Sequence, residues 1–242
     1  MKWLLGLLFL IPILGFSQNT IKVAKPDLPV HDTAMFVADS TWNDSKLLGY
    51  SFYYGQYQKD FAALNSSLLT NFKSPVGFYG VMMGDLSINR MSTEKVLGNI
   101  MYSGLFPHRI DVSDTVGYRY TGNSLLLNFG LDLLSFTPVF DFIIYGGFGT
   151  GNEKLKYFNG NEKYRYHNRG FLLNVMAEFR IKLRLTTMDN EPLGLKIAAH
   201  LGYLHDTSSS KWKTRGDGDL QLPNSRMNGF YGMISLGIVA FL

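Results

Sequence analysis

His200 is the side chain in this sequence best suited to pass a proton, because an imidazole both accepts and donates near neutral pH. Glu178 could orient that ring and Ser235 could serve as its nucleophile, the arrangement of an acyl-transfer site. The close His-x-Ser spacing that some acyl-transfer enzymes show is absent. A hydrogen-bonded filler is the plainer role for a lone interior histidine. Further acids, Asp85, Asp132 and Asp141, join Glu178 on the polar side of alternating segments, and the bases there are Arg180, Lys182, Arg184 and Lys196. Four charges of each sign suit a network of ion pairs, since buried charges persist when paired. A solute-selective pore would carry an excess of one sign.

A second group lies between the alternating segments. Residues 152–169, NEKLKYFNGNEKYRYHNR, hold five basic and two acidic residues interleaved with aromatics, among them Lys156, Tyr157, Tyr164 and Arg165. A later connection carries Lys211, Trp212 and Arg215. Cations and amphipathic rings suit contact with lipopolysaccharide or a protein partner. The same residues, LKYF and KYRYH above all, would also serve as strands continuing past a membrane. The net charge of +4 is small for a nucleic-acid binder, and none is expected as a partner. There is no cysteine, so disulfides, thiol chemistry and thiolate metal sites are excluded. No metal site and no cofactor is expected.

What positions these residues is a strict period of two. From Phe171 to Leu185 every second residue is apolar, while Asn174, Glu178, Arg180, Lys182 and Arg184 lie opposite. Similar runs begin at Leu48, Val96, Leu125, Phe140, Leu193 and Phe230. A further one sets Val76, Phe78, Met82, Leu86 and Ile88 on the apolar face against Gly77, Asp85, Ser87 and Asn89. About eight strands follow, each with one apolar and one polar face. Their connections alternate in length. NRMST, the stretch around Ser135–Thr137 and TTMDNEP are short, while Lys59–Ser74, Gly104–Thr121, Gly149–Arg169 and Asp206–Asn228 are long and polar. A transmembrane barrel has tight turns at one end and long loops at the other. The competing fold is a soluble lipocalin-like barrel with its apolar face inside, which would have no reason to segregate loop length. Tyr50, Tyr54, Tyr102, Tyr203 and Tyr231 fall near strand ends and are expected in interfacial aromatic girdles.

The chain opens MKWLLGLLFLIPILGFSQ, one Lys before a short apolar run and a small-x-small site. Residues 1–17 are expected to be a cleaved signal peptide, residues 18–46 a periplasmic tail, and 47–242 the barrel.

With these features the sequence resembles bacterial eight-stranded outer-membrane β-barrels of the OmpA/OmpX type. The most specific piece is the C-terminal SLGIVAFL. Ser235, Gly237, Ala240 and Leu242 fit the places of that class's assembly signal, although its last residue is usually aromatic. The resemblance implies an all-β, antiparallel up-and-down transmembrane barrel in the bacterial outer membrane, inserted by the outer-membrane assembly machinery. Partners are expected among outer-membrane lipids, lipopolysaccharide and an envelope protein complex, including a PorT-like role beside a secretion apparatus. The expected function is non-enzymatic: a barrel with a closed, salt-bridged lumen acting as a structural or partner-binding component. The alternatives are a lipid-modifying enzyme and a narrow channel.

Overall fold

The computed structural model describes residues 47–91, 94–134, 139–188, 191–208, 211–215 and 222–241. The expected signal peptide, the tail and Leu242 lie outside them, as do the side chains of Asp85, Arg184, Arg215 and Ala240.

Eight long strands form one antiparallel ring: β1 (Leu47–Tyr57), β2 (Val76–Met91), β3 (Glu94–Leu105), β5 (Val116–Asp132), β6 (Phe140–Asn159), β7 (Glu162–Met188), β8 (Glu191–Asp206) and β10 (Gly229–Phe241). Each pairs with the next, and β10 returns to β1 in register from Leu47↔Phe241 to Tyr57↔Tyr231. Two short strands, β4 (His108–Asp111) and β9 (Lys213–Arg215), add to β5 and β7 at one end. A short helix, α1 (Ala62–Leu68), lies in the connection after β1.

The outer surface is the apolar face that the period of two marks out. Phe171, Leu173, Val175 and Phe179 of β7 are exposed, as are Leu125, Phe129 and Leu131 of β5 and Phe230, Ile234, Leu236 and Ile238 of β10. In water such a continuous belt would be a liability. In hydrocarbon it is the required surface, and closure pairs every strand edge. Aromatic pairs rim the loop end: Tyr79 with Phe106 at 4.8 Å and Tyr203 with Phe230 at 4.8 Å.

Three details depart from the sequence reading. Tyr231 faces the lumen, 4% exposed, rather than a girdle, because it falls in phase with Met233 and Ser235. Val76, Phe78 and Met82 are also interior, while Tyr79 and Met83 face out. The first half of β2 carries apolar residues on both faces, and beyond Gly84, at φ +135°, the register shifts between Gly84 and Leu86 and again between Ser87 and Asn89, so no single alternation runs the length of the strand and the inward set read as the outward one. Finally, the expected long connection 149–169 is strand. β6 and β7 stay paired to Asn159↔Glu162 and turn at Gly160, with φ +57°. At 20 and 27 residues they far exceed the roughly 9–11 needed to cross a bilayer.

The belt predicts a depth-dependent cost of charge. Ile144→Arg, at the middle of the outward series of β6, should destabilise the barrel by about 2–4 kcal/mol in lipid vesicles, and Thr150→Arg, beyond its last outward Phe, by about 0–1 kcal/mol. Equal costs in urea titrations would mean that this surface does not meet hydrocarbon.

Candidate functional site: the lumen and its outer mouth

The inward faces of the strands stack into three polar layers. In the layer nearest the short turns, β6 and β7 place Asp141 directly opposite Arg180, and β7 and β8 place Glu178 opposite His200. Arg180 is fully buried. Its Nε donates to Glu178 Oε1 at 2.7 Å, one terminal nitrogen lies 3.5 Å from Asp141 Oδ2, and the other donates to the Tyr145 hydroxyl at 3.2 Å. Lys182 Nζ sits 2.7 Å from Asp141 Oδ1, and Lys196 Nζ lies 4.0 Å from Glu178 Oε1. Asp132, also buried, accepts the backbone N–H of Leu134 at 3.0 Å. This single layer gathers Asp132, Asp141, Glu178, Arg180, Lys182, Lys196 and His200.

Glu178, His200 and Ser235 stand in line within it. His200 Nε2 and Ser235 Oγ are 2.8 Å apart, and His200 Nδ1 is 3.6 Å from Glu178 Oε2. The first distance is a hydrogen bond and the second is too long for one. All three residues are 0–1% exposed, so the serine hydroxyl meets packed side chains where a substrate acyl chain would have to enter. Ser235 thus sits inward on β10, and Gly237 pairs with Ser51 of β1 at the closing seam.

The middle layer is a chain of amides. Asn128 Nδ2 donates to Asn99 Oδ1 at 2.8 Å, Asn174 Nδ2 to Asn128 Oδ1 at 2.7 Å, and Tyr231 OH to Asn174 Oδ1 at 2.8 Å. It ties β3, β5, β7 and β10 across the lumen. Gly147 makes room for it, since a Cβ there would collide with the Asn128 amide. Met82, Met101, Leu126, Met176 and Met233 pack around the chain, all buried. A cavity of about 20 Å³, bordered by Tyr57, Ser103, Asn123 and Tyr231, has room for roughly one water.

The third layer lies at the outer mouth and was not foreseen. Lys59, from the connection after β1, forms an ion pair with Glu153 of β6, and both side chains are 1% exposed. Lys59 Nζ also donates to Ser225 Oγ at 3.0 Å and to the Arg226 carbonyl at 2.9 Å. Tyr120 OH donates to Glu153 Oε1 at 2.5 Å, and Asn168 Nδ2 to Glu153 Oε2 at 3.0 Å. Phe61 and Phe72 pack on Tyr120, at 5.1 Å and 6.2 Å between centroids. Thus the connections 58–75 and 222–228 fold over the mouth. Continuing the alternation of β6 to Leu155 would have put Glu153 inside, so the signal was present in a segment read as loop.

The expected loop residues divide by face. Tyr157 and Tyr164 stack at 6.0 Å and pack against the core from the inner side of the projecting sheet, and Trp212 is half-buried against the same core. Lys156 and Arg165 lie directly opposite each other on the outer side, and Arg165 is opposite Arg215. Lys211 is exposed.

A closed eight-stranded ring with an apolar outer belt and a polar interior defines an integral β-barrel of the bacterial outer membrane. No protein-family model and no curated protein matches the chain. Among solved structures it is similar to Ail, the attachment invasion locus protein of Yersinia pestis, at 11% identity and a TM-score of 0.45, over 82% of this chain and 99% of that one. It is also similar to the N-terminal barrel domain of Pseudomonas aeruginosa OprF, at 13% identity and a TM-score of 0.37, over 81% and 98%. OprG of the same organism matches at 10% identity and a TM-score of 0.43, over 81% and 96%. The assignment to this class rests on the ring, the belt and the interior of the chain itself.

Two predictions follow from the layers. Arg180→Met keeps the bulk but strands Glu178 and Asp141 as buried anions, and should cost about 3–5 kcal/mol in vesicle unfolding; a loss below about 1 kcal/mol would show that the carboxylates find other partners. At the mouth, His108 packs edge-on to Phe72 at 5.7 Å. Burial lowers its pKa below the ordinary value, and the charge of Lys73 adds to this. The docked cover therefore holds the neutral ring, while an undocked His108 protonates near its ordinary pKa of about 6.5. Docking is at full strength above that pH and weakens as pH falls through it. Proteolysis within 58–75 should accelerate on mild acidification, and His108→Phe should abolish the acceleration.

Proposed function

We propose that this barrel is a closed one, its lumen sealed by ion pairs and amide hydrogen bonds, and that it acts as a structural or partner-binding component of the outer membrane through its outer rim. The observation that carries this reading is the burial of Lys59 and Glu153 at the mouth above the equally buried Arg180 network. A permeant ion would have to displace both, and each is held by three or more partners. Contact with lipopolysaccharide and with an envelope protein complex belongs to this reading.

A second reading, a lipid-modifying enzyme, is favoured only by the 2.8 Å contact of His200 with Ser235. The pair lies on the inner side of the wall, away from the lipid.

Planar-bilayer recordings test the first reading. The protein should give no steady unitary current, and Lys59→Met should still give none, since the Arg180 layer remains. Steady currents altered by Arg180→Met would establish a channel instead. For the enzyme, Ser235→Ala should leave the lipid A profile of expressing cells unchanged; a profile that depends on both Ser235 and His200 would reverse the order of the two readings.

A further inference from the structure

Above the apolar belt, five strands continue as a sheet in the order β4–β5–β6–β7–β9. Its register puts Arg109 opposite Arg119, Arg119 opposite Lys156, Lys156 opposite Arg165, and Arg165 opposite Arg215. One cation from each of β4, β5, β6 and β7 thus forms a continuous row on the outer face. A second row below it runs Lys154, His167, Lys213. The only carboxylate that the register places on this face, among the described residues, is Asp111 at the edge, which pairs with Arg109 at 2.8 Å.

Such a row costs stability. Directly opposed residues have their Cβ atoms about 4.5–5.5 Å apart, and like charges so placed repel. Nothing in the fold demands it. The inner face of the same strands carries Tyr118, Tyr157 and Tyr164, stacked and packed toward the core. The outer face needs only to be polar, and neutral side chains would meet that need without repulsion. Three adjacent like-charge pairs therefore point to an anion that bridges them. At about 4.8 Å between strands the row spans about 14 Å, too wide for one phosphate and suited to several. Arginine forks match phosphate oxygens bidentately.

Height identifies the source. Arg165 lies six residues beyond Phe171, the uppermost outward apolar residue of β7. At about 3.3 Å per residue and a tilt of about 40°, that is about 15 Å above the hydrocarbon edge. The lower row stands about 10 Å above it by the same measure. Ordinary phospholipid headgroups reach only about 5–8 Å from the hydrocarbon. A glycolipid with phosphorylated sugars above its acyl anchor reaches both rows.

We propose that this face is a binding site for the phosphorylated core sugars of the lipopolysaccharide in which the barrel is embedded. The proposal specifies the ligand of the outer rim and rests on that part of the function proposed above, but not on the closed lumen.

The test uses the full barrel folded in phosphatidylcholine vesicles and titrated with rough-type lipopolysaccharide, intact or with its core dephosphorylated. The intact glycolipid should bind, and added salt should weaken it. Dephosphorylation, or the triple variant Arg119→Gln/Lys156→Gln/Arg165→Gln, should weaken binding about 10–100-fold. Retained heat-modifiable gel mobility would show the variant folded, and Lys73→Gln, on the connection after β1, should bind as the parent does. Equal binding by the triple variant, or by the dephosphorylated glycolipid, would overturn the site. Soluble polyphosphate binding as tightly as the glycolipid would overturn the membrane source. A conducting barrel that still binds through these residues would overturn the closed lumen and leave this site standing.

Discussion

The pairing of β1 with β10 is the interaction on which the rest of the molecule depends. Hydrocarbon offers no partner to a backbone N–H or C=O, so an open edge there would leave a row of unsatisfied groups. The seam from Leu47↔Phe241 to Tyr57↔Tyr231 removes both edges at once. Closure then fixes everything inside. Alternate residues on all eight strands must share a lumen that side chains can fill. Near the short turns, Gly49 and Ser51 of β1 and Ser235 and Gly237 of β10 keep the seam's inner face small, which leaves space there for the long side chains of Arg180 and Lys196 on β7 and β8.

That interior is polar where a soluble barrel would be apolar, and the polarity is ordered by height. Charges occupy the two ends and amides the middle. Each layer links separate parts of the chain: Arg180 joins β6 to β7, Tyr231 joins β10 to β7, and Lys59 joins the first connection to β6 and to the last connection. Because the outer surface faces lipid, packing against solvent-averse residues cannot hold the strands in register from outside. Internal hydrogen bonds and ion pairs supply that specificity, at the cost of desolvating every group involved.

Much of this was readable in the sequence. The phase of Phe171–Leu185 placed Glu178, Arg180 and Lys182 inside, and neighbouring strands offered Glu178 and Ser235 as partners of His200, which the register sets directly opposite Glu178 and diagonal to Ser235. Two kinds of feature were not. The first half of β2 is apolar on both faces and two register shifts follow it, so alternation alone did not mark Val76 and Phe78 as inward. Strands outside the membrane lose the apolar face that marks them within it. Hence Glu153 read as part of a loop, Lys156, Arg165 and Arg215 read as cations of separate loops, and Arg109 and Arg119 carried no signal of their own. Only the register converts those residues into neighbours.

Lys59 also dates the finished molecule. It leaves the first strand early in the chain, yet its partners Ser225 and Arg226 are 166 and 167 residues further on, immediately before the strand that closes the ring. Until the last connection has arrived, this lysine has Glu153 of β6 but lacks its other two partners. A barrel halted with its seam open would therefore keep its first and last outer connections loose, and only a completed one would draw them together over the mouth. The docking of the cover is in this sense set by the final step of assembly.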